Sequence, residues 1–247
     1  MPISSIDSFT RKTPEAGSAP AGSSLIVALD LESAAEARDL VSKLGDSASF
    51  YKVGLELFAA SGMDFVRELK DLGHSVFLDL KLYDIGETVK RAVARVAHSG
   101  PDFLTIHASR AVMRAAVQGR GDSPLQLLAV TVLTSVDDND LRDDGISATV
   151  ADLVALRVRN AMEDGVEGIV CSAREVAKVR AIAGPRAILV TPGVRSAGAA
   201  SGDQKRVATP AEAIANGANY LVIGRQVTRA KDPRAELQRI LEEIGPR

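Results

Sequence analysis

Asp79 and Lys81 stand two residues apart in the segment Phe77-Leu78-Asp79-Leu80-Lys81-Leu82-Tyr83-Asp84-Ile85, alternating with Leu78, Leu80 and Leu82. In a strand, side chains at i and i+2 share a face. The pattern predicts one leucine face fit for packing against helices and one face carrying a carboxylate and an ammonium side by side. Asp84 falls on the opposite parity, where the strand should end. Burying such charges is costly unless they are paired or used. A charged pair kept in a core-type strand is therefore a candidate for acid–base or electrostatic chemistry.

More polar groups stand at the ends of other apolar runs. Asp30 follows Leu25–Leu29, with Ile26 and Ala28 on its parity, and Lys52 lies in Phe50-Tyr51-Lys52-Val53-Gly54. His107 ends Phe103–Ile106, and Thr134 and Ser135 end Leu125–Leu133. Thr191-Pro192-Gly193-Val194-Arg195 and Gly224-Arg225 follow the runs Ala187–Val190 and Tyr220–Ile223. With Ser75–Leu80 and Val166–Cys171 these make eight runs.

Helical patterns lie between them, such as Ser33–Leu44, Gly62–Leu72, Thr88–Ala97, Val150–Met162 and Pro210–Ala215. Eight alternations of strand and helix predict an α/β protein, a (β/α)8 TIM barrel, over residues 25–247. An open doubly wound sheet is the runner-up, weakened because no G-x-G-x-x-G follows the first strand. In such a barrel the active site gathers at the C-terminal ends of the strands. Residues 1–24, rich in Ala, Gly, Ser and Pro from Arg11 onward, read as a flexible lead-in.

Composition narrows the class. The 247 residues are 46% apolar and 25% charged, with a net charge of -2 and no basic run, which argues against a nucleic-acid partner. No apolar run approaches a membrane span. The N-terminus lacks the layout of a secretory signal. One cysteine, Cys171, allows no internal disulfide, and His74, His98 and His107 lack metal-ligand spacing. The chain reads as soluble and cytoplasmic, with no membrane or metal.

Each feature has a plainer explanation. Asp30 or Lys52 alone would be a turn residue or a satisfied surface charge. Taken with Asp79, Lys81 and Asp84, that explanation needs a five-charge network kept for structure alone, and such networks are often no more stabilising than an apolar replacement. His107 suits a polar core residue as well as a catalytic one. Cys171 reads as a small buried hydrophobe, and Thr134 and Ser135 could merely start a loop. Asp137, Asp138 and Asp140 lack calcium-loop spacing and read as a solvated loop. The glycine-rich stretch Gly193–Arg206 could be a simple connection. It lies, however, where this fold makes its phosphate cradle, and Arg225 follows the eighth strand.

The ordered set Val27-Ala28-Leu29-Asp30, Lys52-Val53-Gly54, Phe77-Leu78-Asp79-Leu80-Lys81 with Asp84-Ile85, Val130–Ser135, Val170–Ala173, Val190–Arg195, Asp203-Gln204 and Val222–Arg225 resembles the orotidine 5'-monophosphate decarboxylase family, from Leu25 to about Pro233. The D-x-K-x-x-D element is shared with related sugar-phosphate enzymes; the whole ordered set is far more specific. The resemblance implies that Lys81 protonates the pyrimidine carbon that loses carbon dioxide and that Asp79 sits beside the substrate carboxylate. It implies that Lys52 and Asp30 contact the ribose hydroxyls and complete the charge relay. It implies a two-fold homodimer in which Asp84 and Thr88 reach into the neighbouring site. Thr134 or Ser135 would face the pyrimidine. Gln204, Arg225 and the glycine-rich loop would grip the phosphate, with Arg195 at the loop base, and Ile85, Pro192 and Gly224 would complete the substrate-binding set. No cofactor is implied.

One departure stands out. The family usually reads Asp-Ile-Pro-Asn-Thr where this chain has Asp84-Ile85-Gly86-Glu87-Thr88, a looser turn. Two other readings fit the residues less fully. One is a metal-dependent keto-sugar phosphate decarboxylase or aldolase on the same barrel. The other is a catalytically dead nucleotide-binding barrel.

Overall fold

The computed structural model describes residues 24–196 and 208–245. The expected lead-in, save Ser24, and Gln204 with the rest of 197–207 lie outside the described residues. Eight parallel strands run β1 (Leu25–Ala28), β2 (Phe50–Gly54), β3 (Ser75–Leu82), β4 (Phe103–His107), β5 (Gln126–Val130), β6 (Gly168–Val170), β7 (Ile188–Pro192) and β8 (Tyr220–Ile223). They pair in sequence order, and β1 pairs with β8 to close the barrel. This is the (β/α)8 architecture that the alternation predicted.

The helices are α1 (Ala34–Leu44), α2 (Leu55–Asp71), α3 (Gly86–Ala97), α4 (Arg110–Arg120), α5 (Asp138–Asp143), α6 (Val150–Glu163), α7 (Val176–Ala183), α8 (Pro210–Ala215), α9 (Arg225–Thr228) and α10 (Pro233–Ile244). Local chemistry sets their starts. Ser33 caps α1 by accepting from the N–H of Glu36, and Asp232 caps α10 ahead of Pro233. Thr209 and Glu212 form a reciprocal capping box on α8.

Strand alternation sorts the core into two clusters. Residues of one parity, among them Ile26, Phe50, Phe77, Phe103, Leu128 and Val190, fill the barrel interior. Those of the other parity, including Val27, Tyr51, Leu78, Leu104 and Leu189, pack against the helices. Phe103 is the hub of the N-terminal end, with ring centroids 5.2 Å from Phe50, 5.2 Å from Tyr220 and 6.0 Å from Phe77.

Four expectations change. The fifth strand is shorter than Leu125–Leu133, ending at Val130, so Thr131–Ser135 become a connection over the mouth. Helix α2 starts at Leu55, well before Gly62, where the backbone breaks helical geometry (φ 61°). The acidic cluster is not a loop. Asp137 caps α5 by accepting from the N–H of Asn139 and of Asp140, whose carboxylate answers the N–H of Asp137. Finally, β3 is not a regular alternating strand. Its register against β4 shifts between Leu78 and Leu82, and Lys81 takes φ +48°.

Candidate active site at the C-terminal mouth

The inward parity that carries Phe50 and Phe77 carries Lys52 and Asp79 two residues later. These two, with Asp30 from the end of β1 and Lys81 from β3, form a line of alternating charge. Lys52 Nζ lies 2.7 Å from Asp30 Oδ1 and 3.6 Å from Asp79 Oδ2. Lys81 Nζ lies 2.9 and 2.8 Å from the two oxygens of Asp79. The burial is graded. The Asp30 side chain is 54% exposed, Lys81 30%, Asp79 13% and Lys52 9%. Burial by itself would raise the pKa of Asp79, but Lys52 and Lys81 outweigh it and hold the carboxyl below its ordinary value of 3.8. Asp79 is therefore an anion between two cations.

Glycine makes room for this line. A Cβ on Gly54 would stand 2.8 Å from Asp30 Oδ1 and 2.9 Å from Lys52 Nζ. Real Cβ atoms do not approach polar atoms so closely, so glycine two residues after the strand lysine leaves the Asp30–Lys52 pair its room, and any side chain there would make the ends of that pair shift. The sequence shows this glycine, but its purpose emerges only with the pair in place.

The backbone at Lys81 is unusual. Among the described residues it is the one non-glycine residue with positive φ. Such a conformation is disfavoured for side chains with a Cβ and persists only where its surroundings enforce it. The hydroxyl of Thr105 on β4 accepts from the Lys81 N–H at 2.9 Å and donates to Asp79 Oδ1 at 2.8 Å. Sequence reasoning missed Thr105. Its signal was a hydroxyl two residues after the inward-facing Phe103 in an otherwise apolar run.

The line opens onto a cavity of about 570 Å³ at the strand ends. Asp30, Lys52, Asp79 and Lys81 form one part of its wall; Thr134 stands on another; Pro192, Gly193, Arg195, Gly224 and Arg225 form the side made by the ends of β7 and β8. Arg195 is buried, and its Nη1 donates to the Val194 carbonyl. Burial, aided by the charge of Arg225, pushes the Arg195 guanidinium below its ordinary pKa. Two guanidinium groups that repel each other beside glycine backbone suit an anion between them.

Not every predicted residue meets at the mouth. Ser135, Asp84, Ile85 and Thr88 are exposed and do not line the cavity. Asp84 accepts from its neighbour's N–H, that of Ile85, at 2.6 Å, and among the described residues it makes no ion pair with Lys81. Beside it, Tyr83 is 69% and Ile85 77% exposed. His107 packs its ring 5.2 Å from Tyr83, and burial, then Arg157 and Lys81, lower its pKa. Cys171 is buried, and burial pushes its thiol up to about 12, as suits an inert core residue.

With this geometry established, comparison with known proteins gives a consistent result. A family model described as "Orotidine 5'-phosphate decarboxylase / HUMPS family" matches residues 23–240. The chain is 54% identical over 221 residues to orotidine 5'-phosphate decarboxylase of Rhodopseudomonas palustris (strain HaA2), covering 90% of this chain and 94% of the relative. It is 54% identical over 224 residues to the protein of the same name from Methylobacterium sp. (strain 4-46), covering 90% and 95%. Among solved structures, orotidine 5'-phosphate decarboxylase from Lactobacillus acidophilus superposes with a TM-score of 0.79 at 36% identity, covering 90% of this chain and 98% of that one. An uncharacterized conserved protein from Geobacillus kaustophilus gives 0.78 at 37% identity, covering 90% and 100%.

Proposed function

The chain belongs to the orotidine 5'-phosphate decarboxylase / HUMPS family, and from that premise we propose how its charged mouth performs the reaction. It catalyses decarboxylation of orotidine 5'-monophosphate to UMP and carbon dioxide in pyrimidine nucleotide synthesis. Loss of the C6 carboxylate leaves an electron pair in an sp2 orbital in the plane of the ring. That pair cannot spread into the ring π system, so the protein must meet it with fixed charge.

Lys81 is the group we assign to that task. Its ammonium stabilises the developing carbanion and then donates the proton to C6. The observation that carries this reading is the placement of Lys81 Nζ, within 2.9 Å of both oxygens of a largely buried Asp79, at the wall of the cavity. Asp79 keeps the Lys81 ammonium aimed, and Lys52 and Asp30 extend the relay toward the ribose hydroxyls. One unit-charge contact near ~4 Å is worth about 4 kcal/mol at an effective dielectric of ~20. Enzymes lower barriers by roughly 8–23 kcal/mol, so Lys81 does not act alone. Arg195 and Arg225, joined by Gln204 and the backbone near Gly193, Pro192 and Gly224, hold the phosphate. Binding energy gained there orders the ring against the charge line. Thr134 faces the pyrimidine.

Asp84 and Thr88 serve the neighbouring site of a two-fold homodimer. Exposed Tyr83 and Ile85, set beside an Asp84 that makes no ion pair among the described residues, support this arrangement. We place the enzyme in the cytoplasm, where a buried free Cys171 is at home. Among the described residues, no helix is long and apolar enough to cross a membrane.

The test is loss of orotidine monophosphate absorbance in chelator with no added cofactor. Full turnover is expected, and loss of turnover on chelation would favour the metal-dependent alternative. Mixing the inactive variants Lys81→Ala and Asp84→Ala should restore one intact site per heterodimer. No recovered activity, with subunit exchange confirmed, would place Asp84 in its own chain's site.

A further inference from the structure

We propose that Thr105 is a positioning residue for the reaction, a hydroxyl brace that fixes both Asp79 and Lys81 from the neighbouring strand. The inference rests on the assignment of Lys81 and Asp79 above and adds a residue to it.

The pairing of β3 with β4 shows why a brace is needed. Phe77 faces Phe103 and Leu78 faces Leu104, and the next matched pair is Leu82 with Ile106. Asp79, Leu80 and Lys81 therefore stand opposite the single residue Thr105. In a regular parallel ladder each backbone N–H would find a carbonyl on the neighbouring strand. At a bulge the ladder is interrupted and the extra residues are left to find other partners. Lys81 sits in this interruption with φ +48°. Its N–H is satisfied by the Thr105 hydroxyl at 2.9 Å.

The direction of both hydrogen bonds is fixed by chemistry. A backbone N–H only donates, and an ionised carboxylate only accepts. The Thr105 hydroxyl therefore accepts from Lys81 and spends its one proton on Asp79 Oδ1, at 2.8 Å. The hydroxyl is fully buried, so water does not substitute for it readily. One side-chain oxygen thus sets the backbone of the residue that carries the ammonium and the orientation of the carboxylate that aims it. Lys81 Nζ reaches both Asp79 oxygens, so rotation of Asp79 would carry Lys81 with it.

The experiment compares Thr105→Val, Thr105→Ser and Thr105→Cys with the wild type in steady-state turnover of orotidine monophosphate. UMP affinity and the melting temperature of each variant are measured alongside. Val keeps the shape and loses both hydrogen bonds. Misplacing a reacting group by about 1 Å can cost on the order of 100-fold, so kcat of Thr105→Val should fall by about 30- to 100-fold. KM and UMP affinity should stay within about threefold, because the phosphate contacts are untouched. Thr105→Ser, which keeps the hydroxyl, should recover kcat to within about fivefold of wild type.

A purely structural role would instead lower the melting temperature and leave kcat per folded molecule unchanged. Thr105→Val with kcat within threefold of wild type would overturn the proposal, as would Thr105→Ser impaired as deeply as Val. If Thr105→Val does not fold, Thr105→Cys decides. A thiol is a weak donor and acceptor, so kcat should drop at least about tenfold, and an unimpaired Cys variant would refute the brace. Wild-type protein that fails to consume orotidine monophosphate would refute the reaction itself, an outcome distinct from any of these.

Discussion

At the N-terminal end of the barrel, the inward residues of β2, β3, β4 and β8 are Phe50, Phe77, Phe103 and Tyr220, packed ring against ring. Two residues further along β2, β3 and β4 stand Lys52, Asp79 and Thr105. The same strands, on the same parity, change from an aromatic plug to a polar line within one layer. The plug is held by area and dispersion, which tolerate small shifts. The line is held by specific distances, and its members depend on one another: Asp79 needs two cations to stay ionised when buried, and Lys81 needs Asp79 to stay aimed. The lower layer gives the upper one a rigid, dry floor. That lets a few hydrogen bonds at the top be positioned accurately.

The strongest challenge to this contrast is Asp79→Asn. It keeps the shape but leaves Lys52 and Lys81 without their shared anion. Breaking a buried pair from one side typically costs 3–5 kcal/mol, and kcat should fall by about 10³-fold. Retained activity would mean the line is not the working part of the mouth. Phe103→Ala probes the other end. Truncating a buried aromatic hub should destabilise the fold by about 3–5 kcal/mol, read from denaturant unfolding. The molecules that remain folded should keep kcat within about threefold. If kcat collapsed as well, the two layers would not be separable.

Gly54→Ala sharpens the comparison from the polar side. The added methyl would meet Asp30 Oδ1 and Lys52 Nζ inside 3 Å. The ends of the pair must then shift out of their present contact, and kcat/KM should fall by about 10- to 100-fold, with little change in melting temperature. The smallest effect concerns acid stability. The folded-state pKa of Asp79 lies below the ordinary 3.8. Its contribution to stability is therefore present above 3.8 and is lost as pH falls through the depressed folded value, because the unfolded chain then binds more protons. In Lys52→Met one cation is gone, burial is less opposed, and the acid limb of a melting-temperature profile should move to higher pH. An unmoved limb would mean that Lys52 does not hold Asp79 ionised.

Much of this could be read from the chain. The eight apolar runs located every strand, because strand burial leaves a periodic trace. The polar residues at their ends located the mouth, and Thr134, Pro192, Arg195, Gly224 and Arg225 do line the cavity with the charge line. What could not be read depends on partners distant in sequence. Asp-Leu-Lys-Leu looks the same in a regular strand and in a bulge, and the difference is made by Thr105 across the ladder. Gly54 looks like any strand-end glycine until Asp30 and Lys52 meet beside it. Helix α5 hid in its acidic run because repulsion and capping use the same residue type. Helix α10, by contrast, carries its start signal in the open, an Asp232 cap followed by Pro233.

The most direct measurement is single-turnover decarboxylation by Lys81→Ala, with UMP affinity determined on the same protein. Removing the ammonium takes away both charge stabilisation and proton delivery, so the rate should drop by at least about 10⁴-fold while UMP binds within about tenfold of wild type. A variant that still decarboxylates within tenfold of the wild-type rate would contradict the account.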